Sequence, residues 1–226
     1  VTDTGARDAL ERDRAEAAEP GPGSRTFVAC GPALPGHRIE VRDAAGKPLG
    51  ERRIGRVFFR GPSVMRGYFG QPELTRETLS ADGWLDTGDL GYLLNGEIVI
   101  TGRAKDLIIL NGRNIWPQDL EWAAEDAVAE LRRGDVAAIS VEDPDKEDQE
   151  AIIVLVQCRS SDPEIRAKLQ RDVAAVLQQA MAVESTVVLV PPHGLPQTSS
   201  GKLSRAKAKA NYLQGVYRPA ETPAAV

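Results

Sequence analysis

The sequence predicts an α+β protein in which a small all-β subdomain is followed by a compact α+β domain. Short runs of β-branched and aromatic residues, separated by glycine and proline turns, dominate the first half. After Arg103 the pattern changes to strands that alternate with two amphipathic helices. We divide the chain into an N-terminal segment (residues 1–23), the β subdomain (residues 24–104) and the α+β domain (residues 105–226).

Four strands are predicted in the β subdomain, in the segments TFVAC, HRIEV, RIGRVFFR and GEIVIT. Residues 44–48 and 94–97 are typical of hairpin turns between such strands. Ahead of the strands, residues 8–18 predict a short helix that the GPG stretch at 21–23 ends. By its charged composition, the N-terminal segment is typical of a solvated tail.

The second half predicts the element order β-β-α-β-β-α-β. The strand LIIL is followed by an Asn111-Gly112 turn and another short extended run. Pro117 begins the first helix, which we expect to end near Gly134. Its predicted core face carries Leu120, Ala124, Val128 and Leu131. Asp162 caps the second helix. Its predicted core face carries Ile165, Leu169, Val173, Val176 and Ala180.

Composition narrows the classes of function. A net charge of −5 gives no reason to expect nucleic acid as a partner, and no apolar run approaches the ~20 residues of a membrane span. No signal peptide opens the chain, and Cys30 and Cys158 predict two buried, reduced thiols. We therefore expect a cytoplasmic protein. His37 and His193 have no ligand-type residues at metal spacing, so we expect no metal site in this chain.

The first candidate site lies in the segment GWLDTGDLGY, residues 83–92. We expect Thr87-Gly88-Asp89 in a turn between two strands. There the Asp89 carboxylate can accept hydrogen bonds from both hydroxyls of a ribose. An Asx turn, in which the carboxylate bonds only its own backbone, explains the same residues.

The second candidate site lies at the boundary between the two predicted domains. Arg103 follows a strand and a glycine, and a planar guanidinium there can bind sugar or phosphate oxygens. The pair Lys105-Asp106 indicates a hinge, where a few residues absorb a change of backbone angles. An ordinary surface turn explains the same pattern.

The third candidate site is the segment LPQTSSGKLSR, residues 195–205. Lys202 ends a loop of small residues, from which a flexible ammonium can reach developing phosphate charge. The segment is similar to a phosphate-binding Gly-Lys loop but lacks the full Walker spacing. With Arg205, Lys207 and Lys209 it forms a basic stretch. We expect that stretch to be a solvated helix face, the alternative being a docking patch for an acidic carrier protein.

The order TGDLG, GR-x-K-D and P-x-TSSGK-L-x-R resembles the adenylate-forming superfamily of acyl-CoA synthetases, peptide synthetase adenylation domains and luciferases. DLIILNGRNIWPQDLE and TFVACGPALPGHRIEVRD are similar to fatty acyl-AMP ligases, although Ile115-Trp116 replaces their usual histidine and aromatic residue. The resemblance covers residues 24–215. It implies that the β subdomain ends an N-terminal adenylation domain and that residues 105–226 are the mobile C-terminal domain. It also implies that residues 1–23 belong to a ligase-specific insertion.

The resemblance also implies a role for each candidate residue. Asp89 and Arg103 would bind the ribose of ATP and of the acyl adenylate. Lys202 would be the catalytic lysine that contacts the carboxylate and the α-phosphate. Lys105 would be the hinge, and Gly112 would lie in the strand-turn region that is presented to the tunnel for the acceptor thiol.

The implied function is the activation of a fatty acid with ATP, followed by transfer to the phosphopantetheine of an acyl carrier protein. Mg²⁺ would be bound mainly by an N-terminal part that this chain does not contain. Since the chain begins at Val1 rather than at a methionine, we expect a fragment of a longer protein. The fragment has no recognisable triphosphate-binding loop, so we expect it to be inactive on its own. The alternatives are a fragment of a fatty acyl-CoA synthetase and a non-catalytic domain that binds a nucleotide or a carrier protein.

Overall fold

The computed structural model describes residues 1–21, 23–142 and 150–217 of the chain. These residues form two compact units, the first ending at Leu107 and the second beginning at Ile108. The chain contains both helices and strands, which confirms the predicted α+β class. The helix Pro72–Thr78 lies within residues 24–104, so that part is rich in strands but is not all-β as expected. Within the described ranges, no helix is both long enough and apolar enough to cross a membrane.

The first unit is built on an antiparallel sheet. Its elements are β1 (Thr2–Ala6), α1 (Arg7–Leu10), β2 (Ser24–Pro32), β3 (Arg38–Arg42), β4 (Gly55–Arg60), α2 (Pro72–Thr78), β5 (Leu85–Leu94), β6 (Glu97–Arg103) and a 3₁₀ turn (Ala104–Asp106). In the described residues the strands follow the order β1-β2-β6-β5-β4-β3. The sheet therefore places β5 and β6 side by side. The first candidate motif, Thr87-Gly88-Asp89, lies on β5, and Arg103 of the second lies at the end of β6.

The N-terminal segment is part of this unit, so the expectation of a solvated tail is wrong. Its β1 pairs with β2, and its helix is four residues long rather than extending to residue 18. Leu10 and Ala15 are buried in a cluster with Phe27 and Tyr92. The Tyr92 hydroxyl donates to Asp3 at 2.6 Å. Leu10 and Ala15 thus pack against residues of the sheet and anchor the segment to the first unit.

The second unit has the predicted order of elements and one further helix. Its elements are β7 (Ile108–Leu110), β8 (Arg113–Ile115), α3 (Pro117–Ala127), β9 (Val136–Glu142), β10 (Glu150–Gln157), α4 (Pro163–Met181), β11 (Ser185–Val190) and α5 (Arg205–Leu213). β7 and β8 form a hairpin. The other strands form a sheet in the order β11-β10-β9 within the described residues, with β10 antiparallel to β9 and parallel to β11.

Helices cover both faces of this sheet because successive strand residues point to opposite sides. Val136 and Ala138 on β9 belong to the core shared with α3 and α4. Ala137 and Ile139 belong to a second core that includes Ala208 of α5. The continuous apolar runs of β9 and β10 are therefore explained by burial on both faces.

The two long helices depart from prediction in detail. α3 ends at Ala127, since Val128 is in an extended conformation, yet the predicted core residues Val128 and Leu131 are buried. On α4, Ile165 and Ala180 are exposed, contrary to prediction. The buried face of α4 carries Leu169, Val173, Leu177 and Met181. This face follows a constant four-residue spacing, which keeps side chains along one side of the helix axis.

The two cysteines lie in different environments. Cys158 is buried as expected, whereas Cys30 on β2 is exposed, so the expectation of two buried thiols is wrong for one of them. Trp84 and Trp116 are buried packing residues. Trp122, on the outer side of α3, is exposed.

Candidate functional site

The Thr87-Gly88-Asp89 motif lies inside β5, not in a turn between two strands as predicted. The register of β5 against β4 shifts at this point, which makes the motif a β-bulge. Gly88 has φ 74°, a conformation that favours glycine. The Gly88 amide donates to Asp86 Oδ1 at 2.9 Å, and Thr87 Oγ1 donates to the Val57 carbonyl at 2.9 Å. These bonds hold the bulge in a defined shape.

The bulge places Asp89 opposite Arg103 on the neighbouring strand. Arg103 Nε lies 3.0 Å from Asp89 Oδ1, and the two side chains are 56% and 28% exposed. The neighbouring Asp86 is paired with Arg56 at 2.9 Å. A solvent-accessible carboxylate therefore stands beside a guanidinium, which offers acceptor and donor atoms to a sugar diol or its phosphate.

Lys105 lies in the 3₁₀ turn that follows β6 and is exposed. The division between the two compact units falls two residues later, between Leu107 and Ile108. A hinge needs residues that are free of core packing, and none of the residues 104–106 is buried. The role of Lys105 as a hinge stays a prediction.

Gly112 lies in the two-residue turn between β7 and β8. Asn111 and Gly112 have φ values of 51° and 75°, as a tight hairpin turn requires, which confirms the predicted turn. Arg113 donates to the Met181 carbonyl at 3.0 Å, and the Ile109 amide donates to Glu150 Oε2 at 3.1 Å. The hairpin tip is exposed, while its strands are fixed to the rest of the second unit.

Lys202 is exposed at the end of a closed turn, which we call the lysine turn and define as residues 197–203. Gln197 and Leu203 form a β-bridge at its base. The Thr198 amide donates to the Lys202 carbonyl at 2.7 Å, and the Lys202 amide donates to Thr198 Oγ1 at 3.2 Å. The backbone of Lys202 is thus held, while its side chain extends toward solvent.

An ion pair between the buried Glu121 and the half-buried Arg205 lies next to the lysine turn. Arg205 Nε donates to Glu121 Oε1 at 2.8 Å, and a terminal nitrogen of Arg205 donates to Glu121 Oε2 at 2.5 Å. The expectation that Arg205 belongs to a solvated basic face is therefore wrong. Burial raises the pKa of the Glu121 carboxyl, and the hydrogen bonds and charge of Arg205 oppose that effect. Glu121 was not among the residues predicted from the sequence. Arg205, three residues after Lys202, was the one sequence feature that could have indicated a carboxylate partner near the lysine turn.

The predicted site residues fall into two groups. Asp89, Arg103 and Lys105 belong to the first unit, where the sheet brings Asp89 and Arg103 together. Gly112 and Lys202 belong to the second unit and lie on separate loops. In the ranges that the structure describes, no three histidine, cysteine, aspartate or glutamate side chains are grouped as ligands for a metal ion.

No protein-family model matches the chain, but individual proteins do. A Caulobacter vibrioides (strain NA1000 / CB15N) protein provisionally described as an acyl-CoA synthetase is 56% identical over 211 residues, which are 93% of this chain and 36% of that protein. The medium-chain-fatty-acid–[acyl-carrier-protein] ligase JamA of Moorena producens (strain JHB) is 32% identical over 226 aligned residues, covering 93% of this chain and 37% of the ligase. The chain therefore spans little more than a third of each relative.

Solved structures give the same indication. A structure from a study of fatty acyl-adenylate ligases of E. coli and L. pneumophila matches with a TM-score of 0.84 and 46% identity. The match covers 96% of this chain and 38% of the solved chain. At this identity the similarity extends to the sequence as well as to the fold.

Proposed function

Because the chain belongs to the adenylate-forming enzymes, which include acyl-CoA synthetases, fatty acyl-AMP ligases and peptide synthetase adenylation domains, we propose that it is the C-terminal part of a fatty acyl-AMP ligase. The observation that carries the proposal is the accessible pair of Asp89 and Arg103, 3.0 Å apart on adjacent strands. A carboxylate and a guanidinium at this separation suit the ribose of ATP and of the acyl adenylate.

In the first half-reaction a fatty carboxylate oxygen attacks the α-phosphorus of ATP. The new P–O bond gives the acyl adenylate, and the bond to the β-phosphate breaks to release pyrophosphate. Lys202 supplies positive charge at the crowded phosphorus and the carboxylate, where negative charge must be stabilised. Its exposed side chain on a backbone fixed by Thr198 supports this role, since it can extend into an active site from a defined base.

In the second half-reaction the thiol of an acceptor attacks the acyl carbonyl and AMP leaves. We assign the change between the two half-reactions to rotation about Lys105, which withdraws Lys202 and brings forward the hairpin around Gly112. The exposed turn at Lys105 and the rigidly anchored, exposed hairpin support these roles. The proposed acceptor is the phosphopantetheine of an acyl carrier protein, the class of acceptor in the name of the Moorena relative.

The reaction implies Mg²⁺ bound to the phosphates of ATP. Octahedral Mg²⁺ prefers carboxylate and phosphate oxygens. The described residues of this chain present no cluster of three ligand-type side chains, so they do not fit a protein-held magnesium site. We therefore assign any protein ligands of the ion to the upstream part of the enzyme and route no step of this chain's chemistry through it.

The test of the proposed function is fatty-acid-dependent exchange of pyrophosphate into ATP, measured on the full-length enzyme that contains this chain. Lys202→Ala is expected to lower the exchange rate by a factor on the order of 10²–10³, as for loss of one strong charge contact. Transfer from a supplied acyl adenylate should change far less. Lys207→Ala is the matched control, since Lys207 is an exposed lysine of the same basic stretch. Equal losses in both half-reactions for Lys202→Ala would refute its role.

The acceptor is tested separately. We expect the full-length enzyme to form acylated carrier protein in preference to acyl-CoA, because a tethered thiol reacts at high effective concentration. The second candidate function is that of an acyl-CoA synthetase, which the provisional description of the Caulobacter relative favours. Efficient formation of acyl-CoA from free coenzyme A by the wild-type enzyme would select this second function.

The 226-residue chain is expected to be inactive without an upstream part. Its described residues include the ribose-binding pair and the lysine turn, whereas no motif in its sequence is typical of a triphosphate-binding loop. Pyrophosphate exchange by the purified chain clearly above that of its Lys202→Ala variant would contradict this expectation.

A further inference from the structure

We propose that Arg205 and Glu121 are positioning residues that hold the lysine turn in the geometry needed for adenylation. The inference rests on the proposed function and deepens it, because it names the residues through which the catalytic lysine is set in place. Neither residue is proposed to touch the substrate. Both act through the backbone that carries Lys202.

The first observation is the geometry of the pair. Arg205 follows Lys202 by three residues and is the first residue of α5. Two nitrogens of its guanidinium meet the two oxygens of Glu121 at 2.8 and 2.5 Å, and the side chains are 15% and 7% exposed. A bidentate pair of this kind fixes the direction as well as the distance of its partners.

The second observation is that Glu121 is itself fixed to the sheet. The Ala138 amide donates to Glu121 Oε1 at 3.0 Å, and the Val136 amide donates to Glu125, one helical turn along α3, at 3.2 Å. These amides lie on the edge of β9 that does not pair with β10. Glu121 therefore joins α3, the open edge of β9 and, through Arg205, the start of α5.

The third observation is that the lysine turn is closed by its own backbone. Beside the bridge at its base, the Ser204 amide donates to the Pro196 carbonyl at 2.9 Å. A turn closed in this way moves as one body, so its placement depends on the attachment of its ends. Arg205 attaches the C-terminal end to the sheet through Glu121.

Loss of the pair should therefore displace the lysine turn without removing the lysine. In the full-length enzyme, Arg205→Met is expected to lower the maximal rate of pyrophosphate exchange on the order of 10- to 100-fold, because displacements of about 1 Å cost that much in positioned catalysis. The KM values for ATP and fatty acid should stay within about threefold, since the ribose contacts are elsewhere. Transfer from a supplied acyl adenylate should fall by less than about threefold, because we assign no role to Lys202 in that step.

Conservative variants distinguish positioning from general support. Arg205→Lys keeps the charge but cannot form the planar, two-pronged contact, so it should restore part of the lost rate. Glu121→Gln should lower exchange in the same direction as Arg205→Met. The double variant Arg205→Met/Glu121→Gln should lose no more of the exchange rate than the more damaging single variant, since both substitutions remove the same interaction.

Arg159→Met provides the matched control. Arg159 forms a similar bidentate pair with the buried Asp135, at 2.7 and 2.9 Å, in the same unit. Its loss should lower the thermal stability of the protein, yet leave the ratio of the two half-reactions unchanged. A change in that ratio for Arg205→Met that Arg159→Met does not show would establish positioning.

Three outcomes would overturn the inference. The first is a wild-type rate of pyrophosphate exchange for the Arg205→Met variant when the Lys202→Ala variant is inactive. This outcome would leave the proposed function intact. Another is an equal loss in both half-reactions for Arg205→Met and Arg159→Met, which would indicate a stabilising role alone. The third is full exchange by Lys202→Ala, which would overturn the proposed role of the lysine together with that of Arg205.

Discussion

Replacing Asp3 with alanine should release the N-terminal segment from the first unit. The Asp3 carboxylate accepts a hydrogen bond from the buried Tyr92 hydroxyl at 2.6 Å and from two nitrogens of Arg52 at 3.0 and 3.2 Å. Arg52 also donates to the Ala15 carbonyl at 2.7 Å, so the cluster holds the segment at two points, Asp3 and Ala15. Burial, followed by the hydrogen bond and charge of Asp3, raises the pKa of Tyr92 above its ordinary range.

The size of the effect follows from the exposure of each partner. Loss of the bond from Tyr92, which is fully buried, should cost about 1.5–3 kcal/mol because its acceptor is charged. The Arg52 side chain is 35% exposed, so solvent screening limits loss of the ion pair to about 0.5–1 kcal/mol. The free energy of opening β1 should therefore fall by about 2–4 kcal/mol. Tyr92→Phe, which removes the hydroxyl alone, should account for the larger part.

Amide hydrogen exchange of β1 and β2, followed by mass spectrometry, measures this local opening. Protection of these amides should fall roughly 30- to 700-fold in Asp3→Ala, since each 1.4 kcal/mol is a factor of ten. Asp8→Ala removes the same charge from an exposed position of the segment and should leave protection nearly unchanged. Equal protection in the two variants would refute the reasoning that the buried cluster anchors the segment.

Two further predictions concern the second unit. Leu177→Ala should lower the free energy of unfolding by about 2–5 kcal/mol, because Leu177 is buried on α4. Ile165→Ala should lower it far less, because Ile165 is exposed. Urea unfolding of the two variants tests which face of α4 packs against the core. Burial of Asp135 opposes its ionisation, but the hydrogen bonds from Arg159 and from the Arg132 amide, together with the charges of both arginines, outweigh burial and lower the pKa of that carboxyl. A lowered pKa contributes stability that is present above about pH 4 and is lost as pH falls through the folded-state value. Unfolding curves at pH 7 and pH 3 should therefore show a smaller loss of stability for Asp135→Asn than for wild type, and parallel losses would contradict this.

Local patterns predicted much of the second unit. Asn111-Gly112 specified a tight turn because both positions need positive φ, and Pro117 marked the start of α3 because its missing amide costs nothing there. Asp162 caps α4 by accepting from the amides of Glu164 and Ile165. Each of these signals acts within a few residues, so the chain carries it before any tertiary contact forms.

The lengths of the helices were predicted less well. α3 ends at Ala127 although buried apolar residues continue to Leu131. Helical spacing in sequence cannot distinguish a residue buried on a helix from one buried in the loop after it. The burial of Val128 and Leu131 was therefore predicted correctly, whereas their helical conformation was not.

The sequence by itself determined that the chain has strand-rich and mixed halves, and its ordered motifs placed it among the adenylate-forming enzymes. The tertiary structure decided how distant residues meet. Sheet pairing brought Asp89 to Arg103 and turned a predicted turn into a bulge. Folding also joined Glu121 to Arg205 across 84 residues of sequence. A buried charge needs a partner that no local pattern specifies, because the partner is chosen by the path of the whole chain.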